Sequence, residues 1–189
     1  MTRLMIVVAL SLFAGSFSVA VGGSELILTD IDGRVHRPWS KPSTRAVVLI
    51  FTTTDCPVAN SYQPELRRLQ GEYEPQGFAF FQVHPDPQPD LDAIREHSQD
   101  YEVKSPIVLD RDQTLAKRTG VSVTPEAAVL DRAGRVLYLG RIDNAFADLG
   151  KPRAVITQRE LRAAIEDIKA GRPVAAPRAK AIGCPIPKP

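Results

Sequence analysis

Two cysteines carry the reactive chemistry that this sequence offers, Cys56 and Cys184, and a proline follows each of them directly. Cys56 stands just after an apolar, β-branched run and just before a segment with helical periodicity. A thiol at the start of a helix lies beside unpaired backbone N–H groups and the positive end of the helix dipole, which favour a thiolate. The neighbouring Asp55 carboxylate opposes that charge. The position predicts a reactive cysteine, and a small buried hydrophobic residue is the alternative.

The motif around Cys56 has one thiol. A Cys-x-x-Cys motif would need its second cysteine at position 59, where this chain has Ala59, so a dithiol reductant that uses this motif alone is excluded. Cys184 lies in the proline-rich segment 171–189, which we predict to be an extended tail. The fourteen residues from Ala170 to Cys184 reach about 43 Å when extended, which is enough to return to Cys56. Cys184 could form a permanent disulfide or a crosslink to another chain, or it could serve as a resolving or regulatory thiol.

The elements that must position these cysteines alternate between strands and helices. Near-continuous apolar runs predict strands buried on both faces, and apolar residues at steps of three and four predict helices. This alternation, closed by a hairpin and a helix, predicts an α/β sandwich around a central mixed sheet. The predicted strands are 46–54, 77–86, 105–110 and two strands around the turn 132–134; the predicted helices are 57–74, 90–102, 111–120 and 157–171; a hairpin spans 26–35.

Five residues mark helix ends or interruptions. Pro64 lies inside the first predicted helix and predicts a kink, because proline removes a backbone donor and clashes with the preceding turn. Asp90 is expected to cap the second long helix. Thr157 and Glu160 have the spacing of a capping box at the start of the last helix, and Gly171 is placed to end it.

The segment VVLIFTTTDCP, a proline eight residues after the cysteine and a later Val-Thr-Pro-Glu together resemble the thioredoxin superfamily. Within it, the chain resembles the redoxin branch of AhpC/TSA type, which includes peroxiredoxins and exported TlpA-like proteins. The likeness covers residues 25–170 in element order. It implies a thioredoxin-like three-layer sandwich with a central mixed β-sheet.

The resemblance also implies roles for individual residues. Cys56 would be the attacking cysteine, and Thr53 stands at the spacing of the peroxiredoxin threonine. Leu49 occupies the position where that motif has a proline. Thr124 and Pro125 resemble the cis-proline loop, whose residue before the proline offers its backbone to an extended substrate segment. Thr53, Thr124 and Pro125 are therefore the expected substrate-binding residues.

The first twenty residues have the layout of a secretory signal. Arg3 precedes an apolar stretch over residues 4–13, and Ser18-Val19-Ala20 supplies small residues for cleavage after Ala20. The apolar stretch is much shorter than the roughly 20 residues of a membrane span. We therefore expect a mature chain in the periplasm or outside the cell, an oxidising environment for thiols.

The 189 residues are 43% hydrophobic, which fits one globular domain. The net charge of +2 does not provide the strong positive potential that binds nucleic acid. No nucleotide or flavin fingerprint is present, so no cofactor is expected. His36, His84 and His97 stand at no recognisable ligand spacing from Cys56, so no metal is expected.

The sequence and the resemblance predict an exported thiol-based oxidoreductase. Cys56 would attack a disulfide or a peroxide, and Cys184 is the candidate resolving cysteine. The partners would be a protein thiol or disulfide, or peroxide, and an external thiol would donate the electrons. The alternative is a non-catalytic or copper-handling module of the same fold in which Cys56 is structural. In copper-binding Sco-like relatives the second cysteine would fall at Asn60.

Overall fold

A six-stranded mixed sheet forms the centre of the computed structural model, which describes residues 25–188. The expected secretory signal, residues 1–20, lies outside the described residues. The strands are β1 (Leu28–Thr29), β2 (Val35–His36), β3 (Ala46–Phe51), β4 (Phe78–His84), β5 (Ile107–Leu109), β6 (Val123–Thr124), β7 (Glu126–Leu130), β8 (Val136–Gly140), β9 (Phe146–Asp148), β10 (Lys151–Pro152), β11 (Arg178–Ala179) and β12 (Cys184–Pro185). The helices are α1 (Pro57–Ser61), α2 (Gln63–Tyr73), α3 (Leu91–Asp100), α4 (Thr114–Thr119) and α5 (Glu160–Lys169).

The strand that leads to Cys56 lies in the middle of this sheet. The strand order is β11-β8-β7-β3-β4-β5, with β3, β4 and β5 parallel and β7 antiparallel to β3. Every residue of β3 is buried, because helices cover both faces of the sheet and leave no face for solvent. The predicted mixed α/β sandwich of thioredoxin type is confirmed.

Two apolar clusters hold the layers together. Val48 and Ile50 of β3 face a cluster formed with α1, α2 and α5. Leu49 and Phe51 face the opposite cluster, which includes residues of the N-terminal hairpin and α4. Among the helices of the described part of the chain, none has the length and apolar content to cross a membrane.

The first predicted helix is interrupted as Pro64 indicates. It divides into α1 and α2 at Tyr62, and Pro64 falls in the first turn of α2, where a missing N–H costs no helical hydrogen bond. Asp90 caps α3 as predicted, since its Oδ1 accepts hydrogen bonds from the N–H groups of Asp92 and Ala93 at 3.0 and 3.1 Å.

The predicted capping box of the last helix is wrong. The helix begins at Glu160, three residues later than predicted, and no side chain caps it. Thr157 is used elsewhere, because its hydroxyl accepts a hydrogen bond from Asn144 at 2.8 Å. Glu160 instead pairs with Arg141 of the loop after β8. Tertiary contacts thus displaced a local motif of correct spacing.

The proline-rich tail is extended, but it packs against the domain that was predicted to end at residue 170. Strand β11 adds to the edge of the main sheet, parallel to β8, with Ala179 opposite Gly140. A Cβ on Gly140 would lie 2.2 Å from the Ala179 carbonyl oxygen, so only glycine allows this approach. Further along the tail, β12 pairs antiparallel with β6. The sequence did not predict either of these strands.

Candidate active site

Cys56 lies at the junction between the central strand and the first helix. Strand β3 ends at Phe51, a four-residue turn follows, and Cys56 is the N-cap of α1. Its carbonyl accepts the first helical hydrogen bond, from Asn60 N–H at 3.0 Å. Its side chain is fully buried, with 0% of its surface exposed. The strand and the helix therefore fix the sulfur at the point where the sequence placed it.

The loop around Pro125 faces this sulfur. The peptide bond between Thr124 and Pro125 is cis, as the family resemblance implied. The Cys56 thiol donates a hydrogen bond to the Thr124 carbonyl oxygen at 3.0 Å. The Thr53 and Thr124 hydroxyls are hydrogen-bonded at 3.3 Å. The structure thus brings Cys56, Thr53, Thr124 and Pro125 together.

Cys184 reaches the same place from the tail. In the pairing of β12 with β6, Cys184 lies opposite Thr124 and Pro185 lies opposite Val123. Both cysteines are free thiols, and Cys184 is half-buried against the cluster that contains Cys56. Burial, followed by the hydrogen bond and charge of the Cys56 side chain and the charge of Asp55, raises the pKa of Cys184 to about 12. In this arrangement Cys184 holds its proton at neutral pH.

Two acidic residues border the site. Glu126 directly follows Pro125 and is buried, which raises the pKa of its carboxyl group above the usual range. The N–H of Ser122 donates to this carboxylate at 2.9 Å and acts in the opposite direction. Asp55 is exposed to solvent, where water screens its charge.

A family model described as "AhpC/TSA family" matches residues 27–139, which include the strand, the cysteine and the cis-proline loop. The chain belongs to the AhpC/TSA family. The thiol-disulfide oxidoreductase ResA of Geobacillus thermodenitrificans is 28% identical over 126 residues, which are 66% of this chain and 71% of that protein.

Solved structures agree with the AhpC/TSA assignment. An uncharacterized conserved protein from Geobacillus kaustophilus superposes with a TM-score of 0.73 at 28% identity, covering 89% of this chain and 90% of that one. A thiol-disulfide oxidoreductase from Bacteroides fragilis gives a TM-score of 0.52 at 20% identity over 62% of this chain and 88% of that one. At that identity the second likeness concerns the fold.

A buried polar network beneath the Cys56 turn was not predicted for this AhpC/TSA chain. Gln82 donates to Gln63 at 2.7 Å, and Thr52 lies 3.4 Å from both Gln82 and His84. Burial, and then the charge of His97, lowers the pKa of His84 to about 4, so its ring is neutral at pH 7. Gln82 and His84 stand two residues apart in an otherwise apolar strand. These two polar residues on one face of the strand were the feature of the sequence that could have indicated the network.

A second unpredicted contact holds the turn itself. The Asn60 side chain donates to the Thr54 carbonyl at 2.9 Å and lies 2.8 Å from the ring of His97. Burial lowers the pKa of His97. The third histidine, His36, pairs with Asp30 at 2.7 Å on the far side of the sheet. Within residues 25–188, no three His, Cys, Asp or Glu side chains are grouped to hold a metal ion.

Proposed function

We propose that this chain is an exported thiol-disulfide oxidoreductase in which Cys56 attacks a substrate disulfide and Cys184 resolves the intermediate. The observation that carries the proposal is the cross-strand position of Cys184 opposite Thr124, whose carbonyl accepts the hydrogen bond of the Cys56 thiol. Membership of the AhpC/TSA family and the likeness to ResA, a thiol-disulfide oxidoreductase by name, support the reaction class.

In the first step the Cys56 thiolate attacks one sulfur of a substrate disulfide. The substrate S–S bond breaks, a mixed disulfide forms with Cys56, and the second substrate sulfur leaves as a thiolate that takes up a proton. Thr124 and Pro125 form the opposite wall, against which the substrate sulfur is aligned.

In the second step Cys184 loses its proton and attacks the Cys56 sulfur. The bond to the substrate breaks, a Cys56–Cys184 disulfide forms, and the second substrate thiol leaves, so two electrons pass from the cysteine pair to the substrate. The Cys56 side chain contributes to the raised pKa of Cys184. In the mixed disulfide that side chain has neither proton nor charge, so its contribution to the raised pKa of Cys184 is removed, whereas burial, the largest cause, remains. Two external thiols, or one dithiol, then reduce the Cys56–Cys184 disulfide and are themselves oxidised to a disulfide, which restores the reduced pair.

Export is the part of the proposal that rests on the first twenty residues. Arg3, the apolar stretch 4–13 and Ser18-Val19-Ala20 support cleavage after Ala20. Intact-mass measurement of the protein from its native compartment should show a chain that begins at or near Val21. A mass that retains residues 1–20 would contradict this.

The chemical proposal is tested by trapping each step. Reduced protein receives one equivalent of oxidised glutathione, free thiols are blocked with an alkylating agent, and the disulfides are mapped by peptide mass spectrometry. We expect a Cys56–Cys184 disulfide in the natural chain and a glutathione mixed disulfide on Cys56 in Cys184→Ser. Cys56→Ser should lose turnover while remaining folded by circular dichroism, because a hydroxyl does not ionise near neutral pH.

The outcomes separate the two roles. Unchanged turnover in Cys56→Ser refutes the catalytic assignment, whereas unchanged turnover in Cys184→Ser refutes only the resolving role and indicates an external thiol. The same variants treated with hydrogen peroxide test the second substrate class. If peroxide is a substrate, Cys184→Ser should accumulate sulfenic acid on Cys56.

A further inference from the structure

The reduced site is closed by the chain's own tail. Cys56 has no solvent exposure, and Cys184 packs against the apolar cluster that contains Cys56. We call residues 181–188, which include β12, the strap. A buried nucleophile cannot meet a polypeptide disulfide, so the element that lies over Cys56 has to move before the proposed chemistry begins.

The strap is held by backbone contacts along one edge. Cys184 pairs with Thr124 in β6, and the N–H of Ile186 donates to the Ser122 carbonyl at 3.2 Å. A Cβ on Gly183 would lie 2.1 Å from the Thr124 carbonyl oxygen, so the strap touches the cis-proline loop at a point where no side chain fits. The far end is held by Gln113, whose amide donates to the Pro187 carbonyl.

The contacts between the strap and β6 are local, so the strap can detach without opening the main sheet. Strand β12 contains two residues and pairs only with β6, in a two-stranded sheet that is separate from the six-stranded one. The tail before the strap is held independently by β11 at the main sheet edge. Residues 180–182 therefore form the natural hinge, because short segments with few backbone contacts open at low free-energy cost.

We propose that the strap occupies the edge 122–124, where the family resemblance implies that an extended substrate segment binds, and that it acts as an internal competitor which a cysteine-containing segment of the partner must displace. This deepens the proposed function and depends on it. The strap already lies antiparallel to β6 with a cysteine opposite Thr124, the residue that touches the Cys56 thiol. One backbone edge pairs with one strand at a time. Strap and substrate consequently compete, and the closed fraction lowers the apparent affinity for substrate.

The test opens the strap by a substitution that leaves Cys56, Thr124 and Pro125 unchanged. In a Cys184→Ser background, where Cys56 is the remaining thiol, Gly183→Ala places a methyl group against the Thr124 backbone and should detach the strap. The matched control is Gly71→Ala in α2, where an added Cβ meets nothing within 4 Å. Iodoacetamide should alkylate Cys56 at least about tenfold faster in Gly183→Ala than in the background or the control, because a larger fraction of molecules is open.

A second arm identifies what the edge binds. A fluorescent peptide with the sequence of residues 180–188 and Ser in place of Cys184 should bind the Gly183→Ala variant and slow its alkylation. It should bind the Gly71→Ala control at least about tenfold more weakly, because the tethered strap occupies the edge. Ile186→Ala, which loosens the strap from another point, should change both readouts in the same direction by up to about fivefold, and it covers the case in which Gly183→Ala fails to fold.

The results distinguish this proposal from the proposed function. Equal alkylation rates in the opened variants and the control would overturn the strap as a gate, and absence of peptide binding would overturn the docking edge. Both readouts are independent of turnover. If the strap variants behave as expected and Cys56→Ser retains turnover, the proposed reaction fails while the gate stands.

Discussion

The two cysteines meet at one point but belong to regions of opposite construction. Cys56 follows the central strand β3, every residue of which is buried, and begins α1. Cys184 belongs to a two-residue strand of the strap, which pairs with the equally short β6. The first thiol is therefore positioned by the core of the fold, and the second by a short segment with few backbone contacts. The proposed resolving role, in which Cys184 leaves and returns with each turnover, requires a segment of this kind.

The largest expected difference between the two regions is in stability. Leu49 of β3 is fully buried, and Leu49→Ala should lower the free energy of unfolding by about 2–5 kcal/mol through lost burial and a cavity. Ile186 of the strap is partly exposed, and Ile186→Ala should cost under about 1 kcal/mol. Urea unfolding followed by circular dichroism measures both.

Similar costs for the two variants would contradict this difference between the core and the strap. A loss of several kcal/mol in Ile186→Ala would mean that the strap is part of the cooperative core and cannot act as a gate. Amide hydrogen exchange provides an independent check, because Ile186 N–H should exchange much faster than the amides of β3.

The second prediction concerns acid, which should weaken the Cys56 region selectively. Burial lowers the pKa of His84 from the ordinary 6.5 to about 4. The unfolded chain therefore takes up this proton before the folded chain does as pH falls below 6.5. The contribution of neutral His84 to the free energy of unfolding is present above pH 6.5. It is lost between pH 6.5 and about 4 and amounts to up to about 3 kcal/mol. Urea unfolding at pH 7 and pH 4.5 measures it.

A matched variant isolates this histidine from the carboxylates, which also lose favourable interactions in acid. His84→Gln keeps a polar side chain near Thr52 and removes the titration. Its stability should fall less between pH 7 and pH 4.5 than that of the natural chain. An identical fall in both proteins would show that His84 does not report on this region.

What the sequence predicted and what it missed follow the same division. The apolar run of β3, the cap at Asp90 and the cis bond before Pro125 are local or family signals, and the structure contains all three. The tail has no apolar periodicity, so nothing in it indicated β11 or β12. Their partners lie far along the chain, and backbone pairing leaves little trace in the side chains except a glycine at each close approach.

The same reasoning explains the failed capping box and the missed polar network. Thr157 and Glu160 have a local spacing that predicts a cap, but Asn144 and Arg141 occupy their side chains. Gln82 and Gln63 bond across two elements. Such pairings depend on which faces meet after folding, so spacing along the chain does not show them.

The smallest predicted effect is a test of the contact between the two thiols. Burial, and then the hydrogen bond and charge of Cys56, raises the pKa of Cys184 to about 12. Between pH 8 and 10 the alkylation rate of Cys184 should therefore rise about tenfold per pH unit without reaching a plateau, as expected for a thiol titrating well above the range. In Cys56→Ser the charge of the neighbour is absent, so Cys184 should react several-fold faster at each pH, read from the mass of its own peptide. The charge of Asp55 is the smallest cause of the raised pKa of Cys184. Asp55→Asn removes that charge and should increase the alkylation rate of Cys184 by less than Cys56→Ser does. An unchanged profile in Cys56→Ser would mean that the strap holds Cys184 out of electrostatic contact with Cys56, and a resolving step would then need a larger movement than the reduced structure indicates.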